Sequence, residues 1–279
     1  MKHCYLLLFS LLFLGSCEKS NPSFIVKQSP FEVMPVNFPQ NVLLEHFADE
    51  AQKETVANSE RVEQLQIQFA NRLIVATYHQ NDFLNTPYTN YVSNSLGGAL
   101  NILQGSANRL AYYDSSVAQQ RVWMQNTRWE EITYDALHLP EAPLSIALET
   151  GIAPNNKGFV DVYVAYKNPL PTKTRLLVYL VEDNILPKFQ EGSNPSFKHQ
   201  HVVKSVLSDW DGDEINLQVA NENGMIVKRR YANFDLKDYN VLNMRAIAFI
   251  FKEDVSYAKK QILNVQQVQF NGLHFWDTF

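Results

Sequence analysis

A chain of 279 residues with 46% hydrophobic and 12% aromatic side chains has apolar surface for two modest domains or one large one. Its formal net charge of -5 leaves no basic surplus for a phosphate backbone, which excludes nucleic acid as a partner class. There is no internal repeat and no low-complexity tract.

The chain opens with Lys2 and His3 and an apolar run from Tyr5 to Leu14. A run this short behind a basic residue reads as a secretory signal over residues 1–16, not as a membrane span. Leu14-Gly15-Ser16-Cys17 has the form of a bacterial lipobox, with diacylglycerol and an N-acyl chain expected on Cys17. Several acyl chains, at ~0.8 kcal/mol per buried CH₂, hold a soluble domain firmly on a bilayer. Cys4 leaves with the signal, so Cys17 has no intramolecular disulfide partner and lipidation gives it a role. Lys19, not an aspartate, stands second after the cysteine, which favours sorting to the outer membrane; the periplasmic or outward side is left open. Residues 17–40 are polar and carry Pro22, Pro30, Pro35 and Pro39, the composition of an extended tether.

Residues 41–140 read as α/β. Asn41 to Phe47 and Leu73 to His79 are apolar runs of strand length, and the segment from about Glu54 to Asn71 between them, with Val62, Leu65 and Ile67, is long enough for a crossover helix. Strand, helix, strand predicts a βαβ unit with parallel strands. A surface loop follows, in which Phe83, Tyr88 and Tyr91 are available to cover a groove, with a helix from Tyr91 to Leu103. Ser115 to Leu139 lacks glycine and proline and is predicted as one helix, with Val117, Val122, Trp123, Trp129 and Ile132 facing the core. Pro140 and Pro143 mark the boundary.

From residue 141 to 279 the pattern alternates. Seven short apolar stretches, 145–149, 159–166, 175–181, 214–219, 225–230, 244–251 and 262–270, are separated by turn-rich segments and predict an antiparallel β-sandwich. Val160, Val162 and Val164 should face inward, and Asp161, Tyr163 and Ala165 outward.

Two clusters carry metal-ligand residue types. His199 and His201 would share a strand face, with Glu182 and Asp183 as candidate carboxylates for zinc; the competing reading is a structural pair that holds the loop Leu186 to Ser196. Asp209, Asp211 and Asp213 alternate like a calcium loop but depart from the EF-hand spacing, and an ordinary hairpin turn has the same composition. No nucleophile elbow, phosphate-binding glycine loop or H-E-x-x-H spacing is present, so no enzyme activity and no obligatory cofactor are expected.

Val42-Leu-Leu-Glu45 with Phe47, Gly105 with Asn108-Arg109, Val181-Glu-Asp-Asn-Ile185 and Lys198-His-Gln-His-Val-Val203 resemble motifs of the outer membrane protein 28 family of Gram-negative lipoproteins. The resemblance implies a thioredoxin-like domain over 41–140 followed by the sandwich. It also implies a C-x-x-C pair near Gln52 and Thr55 and a proline at Leu103, and this sequence has neither. The expected protein is an outer-membrane lipoprotein without thiol chemistry, a binding or accessory subunit docking on an envelope partner such as a β-barrel. The rival is a metal- or ligand-binding surface lipoprotein that uses the sandwich.

Overall fold

β-Branched and aromatic side chains fill a pleated surface buried on both faces, and β1 (Val42–Ala48) and β2 (Leu73–His79) are buried at every position. Helix α1 (Glu54–Phe69) connects them, and they pair in parallel from Val42↔Leu73 to Ala48↔His79, as predicted. Val62 and Leu65 of α1 are buried, whereas Ile67 faces solvent. The computed structural model describes residues 31–277 except 32, 99–100, 116–117, 171, 216–224, 255 and 257–259. The signal, Cys17 and the first part of the tether lie outside the described residues.

The next helix departs from the expectation. Helix α2 (Pro87–Ser95) starts earlier than predicted, with proline in its first turn where no N–H is needed, and ends before Leu103. Strand β3 (Gln104–Ala107) then pairs antiparallel with β1. The single helix predicted over 115–139 is corrected: β4 (Tyr112–Asp114) and β5 (Gln119–Arg121) form a hairpin, and β6 (Met124–Gln125) joins β3. Among the described residues there, α3 (Trp129–Leu137) is the α-helix, preceded by a 3-10 turn at Asn126–Arg128, and Val117 lies outside the described residues. Trp123 and Trp129 are core residues, as expected.

The second half supplies β7 (Leu144–Ile152), β8 (Gly158–Tyr166), β9 (Thr174–Glu182), β10 (Val202–Val206) and β11 (Asp213–Glu214). It continues with β12 (Met225–Phe234), β13 (Met244–Lys252), β14 (Ile262–Gln269) and β15 (Leu273–His274). Most of the predicted strand 214–219 lies outside the described residues. The described residues form a mixed α/β structure, mostly strands, in three sheets. One sheet has nine strands, in the order β14-β13-β9-β10-β2-β1-β3-β6 with β11 added beside β9; a second has the order β12-β8-β7-β15. Among the described residues, no helix is long and apolar enough to cross a membrane.

Strand β10 decides how the halves join. It runs antiparallel to β9 and meets β2 in parallel at Val202↔Thr77, so the large sheet continues from the βαβ unit into the second half without a break. Val160, Val162 and Val164 pack between the two sheets with Leu176, Val178 and Ile250. Asp161, Tyr163 and Ala165 do lie on the opposite face, but all three are buried, which corrects the expectation that they meet solvent. The end of the tether covers that face: Phe31 stacks on Tyr163 with ring centroids 4.4 Å apart, and Lys228 and Arg230 close over Asp161.

Candidate functional site

The site is the loop between β1 and α1, at the carboxyl ends of parallel strands where open α/β sheets place their chemistry. The family resemblance implies a thiol pair near Gln52 and Thr55. Here Thr55 Oγ1 donates to the Asp49 carbonyl at 2.8 Å and accepts from the Asp49 amide at 3.0 Å, both groups being buried. The Asp49 carboxylate accepts from the Ala51 amide and from Asn81 Nδ2. Asp49 and Glu50 are thus spent on holding loops together; Glu54 is the acid in the first turn of α1. Leu103, at the position of the missing proline, is partly buried against the core and accepts from the Asn126 amide at 2.7 Å.

Glu50 fastens a second loop over this one. Its carboxylate accepts from the Lys188 amide at 2.9 Å, its carbonyl accepts from the Glu191 amide, and the Gln52 carbonyl accepts from Gln190 Nε2. His199 Nε2 stands 3.4 Å from the same carboxylate, and its ring meets that of His79 edge-on at 4.6 Å. His79 Nδ1 donates to Asp82 at 2.7 Å. Burial raises the Glu50 pKa, whereas burial and then the charge of His79 lower His199 to about 4. Burial alone would raise Asp82, but the hydrogen bond and charge of His79 keep it below the usual carboxylate range. Phe83, Leu186 and Phe189 are exposed at the rim, with Lys188 Nζ 4.5 Å from the Phe83 ring centroid.

The predicted metal residues go to different places. His201 adopts the left-handed conformation at φ 57, which breaks the strand alternation that would have put both histidine rings on one face. His199 turns to Glu50 and His79. His201 accepts from Arg245 at 2.5 Å through Nδ1 and donates to Gln66 through Nε2, and burial, then Arg245, hold its pKa well below the ordinary value. Asp183 accepts from Arg245 and the His201 amide, while Glu182 accepts from the Asn240 amide. Asp209, Asp211 and Asp213 form a turn around Gly212, whose φ of 78 suits glycine. Asp211 accepts from Tyr91, and Asp213 accepts from Tyr231 and the Asp209 amide. Among the described residues, no group of three or more His, Cys, Asp or Glu is arranged to hold a metal ion.

Beside the site lies a buried network whose partners the sequence did not pair. Arg109 Nε and Nη2 each donate to the Glu45 carboxylate at 2.8 Å, and Tyr78 donates to it at 2.6 Å. With its one proton on Glu45, the Tyr78 oxygen accepts from the Tyr179 hydroxyl at 3.1 Å, and Tyr179 shares a hydrogen bond with Tyr88. Burial would lower Arg109, but the charge and hydrogen bonds of Glu45 hold its pKa well above the ordinary value; burial pushes Tyr78 and Tyr179 well up. A glutamate in the middle of an apolar strand was the available signal, since such a charge is buried only with a partner. Of the predicted groove aromatics, Tyr88 is buried here, Tyr91 packs on Trp210, and Phe83 is exposed.

A search of curated proteins found no match. Among solved structures, HBP35 of Porphyromonas gingivalis is similar at 19% identity and a TM-score of 0.70, covering 84% of this chain and 76% of that one. A protein from Agrobacterium tumefaciens is similar at 12% identity and a TM-score of 0.56, covering 84% and 96%. At these identities the likeness is one of fold. A domain of the outer membrane lipoprotein Omp28 from Porphyromonas gingivalis aligns at 21% identity over 48% of this chain and 92% of that one, with a TM-score of 0.32. The profile of the outer membrane protein Omp28 family matches residues 114–272, more than half of the sequence, and the chain belongs to that family.

Proposed function

We propose that this protein is a lipid-anchored accessory subunit of the outer membrane, without catalytic activity. In this reading a thioredoxin-like half, residues 41–140, and a β-sandwich half, residues 141–279, stand on a tether behind an acylated Cys17. The observation that carries the reading is the Thr55, Asp49 and Glu50 arrangement. Where a redox relative needs a free thiolate at the start of a helix, these side chains are locked to backbone groups and fasten the loop 186–191 on top. Membership in an outer membrane protein family supports the location.

The rim of Phe83, Leu186 and Phe189 is the docking surface for an envelope partner, since clustered exposed apolar side chains mark interaction sites. The test is affinity capture from detergent-solubilised membranes, comparing the wild type with Phe83→Asp plus Phe189→Asp. A stoichiometric membrane protein captured by the wild type and lost in the variant is the expected result. Capture by both alike, or a bare monomer in both, rules the rim out.

A further inference from the structure

The outer face of the four-stranded sheet carries a separate exposed apolar cluster. Val33 is 54% exposed, Val36 92%, Leu273 54% and Phe275 48%. Val33, Val36 and Phe275 line a cleft of about 450 Å³ together with Met34, Pro35 and Trp276, and Leu273 lies two residues before Phe275. Phe31 belongs to the same cluster, stacked on Tyr163 and, at 5.1 Å, on Phe275. The chain therefore enters the fold through this face.

Two bases complete the picture. Lys228 Nζ lies 4.8 Å from the Tyr163 ring centroid and the Arg230 guanidinium 4.7 Å from that of Phe159, and both side chains are about half exposed while paired to Asp161. Long stems over aromatic rings with charged ends outward are the geometry of residues at a membrane interface. Glu149, opposite Asp161 in the register, cancels the charge surplus, so the apolar side chains carry the association and anionic lipid adds little.

We propose that this face lies against the bilayer, with Val33, Val36, Leu273 and Phe275 entering the boundary between headgroups and acyl chains and Lys228 and Arg230 meeting lipid phosphates. The proposal rests on the lipid-anchor reading of Cys17. Cys17 precedes Phe31 by 14 residues. Whatever its course, a chain of that length reaches no further than roughly 50 Å. The surface that grips Phe31 is thus the one the anchor keeps nearest the lipid.

Lipidation blocks Cys17, so a cysteine introduced into the mature chain is its one free thiol. Val36→Cys, Leu273→Cys and, as a control on the loop over Glu50, Leu186→Cys are each labelled with a fluorophore in the lipidated full-length protein. The proteins are reconstituted in vesicles of phosphatidylethanolamine and phosphatidylglycerol with nitroxide-bearing acyl chains. Quenching should be several-fold stronger at 36 and 273 than at 186, and nearly insensitive to the phosphatidylglycerol fraction. Equal quenching at the three positions overturns the proposal, as does protection at 273 with a dimer in sedimentation, which would assign the face to a second copy. Flotation of the same samples tests the anchor separately: protein that fails to float removes anchor and proposal together, whereas protein that floats with uniform quenching removes only the membrane-facing assignment.

Discussion

Replacing Arg109 by leucine removes one half of an ion pair sealed between the βαβ unit and the strands of the second half. The Glu45 side chain is 0% exposed and that of Arg109 3%. Arg109→Leu deletes two charge-assisted hydrogen bonds of 2.8 Å and leaves the carboxylate with the Tyr78 hydroxyl alone. Two such bonds at ~1.5–3 kcal/mol each suggest a loss of ~3–6 kcal/mol, in line with the ~3–5 kcal/mol for breaking a buried pair by removing one partner. For a chain of this size a loss of ~4 kcal/mol lowers Tm by roughly 12 °C. Because the cost is that of a stranded charge, adding Glu45→Leu should restore part of it, and the double variant should be more stable than Arg109→Leu alone. Guanidinium and thermal unfolding followed by circular dichroism give both quantities. A single-variant cost under ~1 kcal/mol, or strictly additive losses, would refute the reasoning.

Other expectations are equally specific. His46 and His199 are each lowered from 6.5 to about 4, by burial foremost, with the charge of His79 adding to it. The unfolded chain therefore binds those protons first. Stability is complete above pH ~6.5 and falls as pH drops toward 4, by up to ~3 kcal/mol per histidine, while the raised Glu50 works in the opposite sense. A thermal midpoint at about pH 5 equal to that at about pH 7.5 contradicts this. At Gly105 a Cβ would stand 2.6 Å from Trp129 Nε1 and 3.0 Å from the Glu45 carbonyl oxygen. Gly105→Ala should cost ~1–3 kcal/mol, read as a lower denaturant midpoint. The unmodified protein should not reduce insulin in a turbidity assay, and measurable turnover there overturns the non-redox reading. Gln52→Cys with Thr55→Cys should fold, lose the Thr55 bonds to Asp49, and gain little activity, since Leu103 still occupies the proline position.

The βαβ unit was legible because its strands are continuous apolar runs of the right length, and that signal is local. Six of the strands of the second half, β7, β8, β9, β12, β13 and β14, were legible from alternation, with ends displaced by only a few residues, whereas β10 and β15 were not predicted. The β4–β5 hairpin was not. Its turn has no glycine or proline; Ala118 takes the left-handed conformation at φ 52 without the residue type that announces it. The pairing of β10 with β2 and the bond between Glu45 and Arg109 join residues far apart in sequence, and no local pattern encodes such a choice. The histidine cluster was half legible. The spacing of His199 and His201 was visible, but the backbone twist at His201 that separates their rings was not. Motif matching located Glu45, Asn108 and Arg109 without revealing their work. Asn108 accepts from the Leu43 amide through its side-chain oxygen and donates to the Asn41 carbonyl, tying β3 to the start of β1.

The single sheet shared by both halves also constrains export. A chain that crosses a membrane N-terminus first delivers β1, α1 and β2 early, but the strand that belongs beside β2 follows by over a hundred residues. Until then the far edge of β2 presents unpaired amides and carbonyls, a ready template for association with other chains. Tyr78 waits 101 residues for Tyr179. The N-terminal half therefore cannot finish folding while the remainder is still arriving, and late closure through long-range strand pairs makes the process slow. In a chain delivered this way, the exposed edge of β2 closes only when Val202 docks on Thr77.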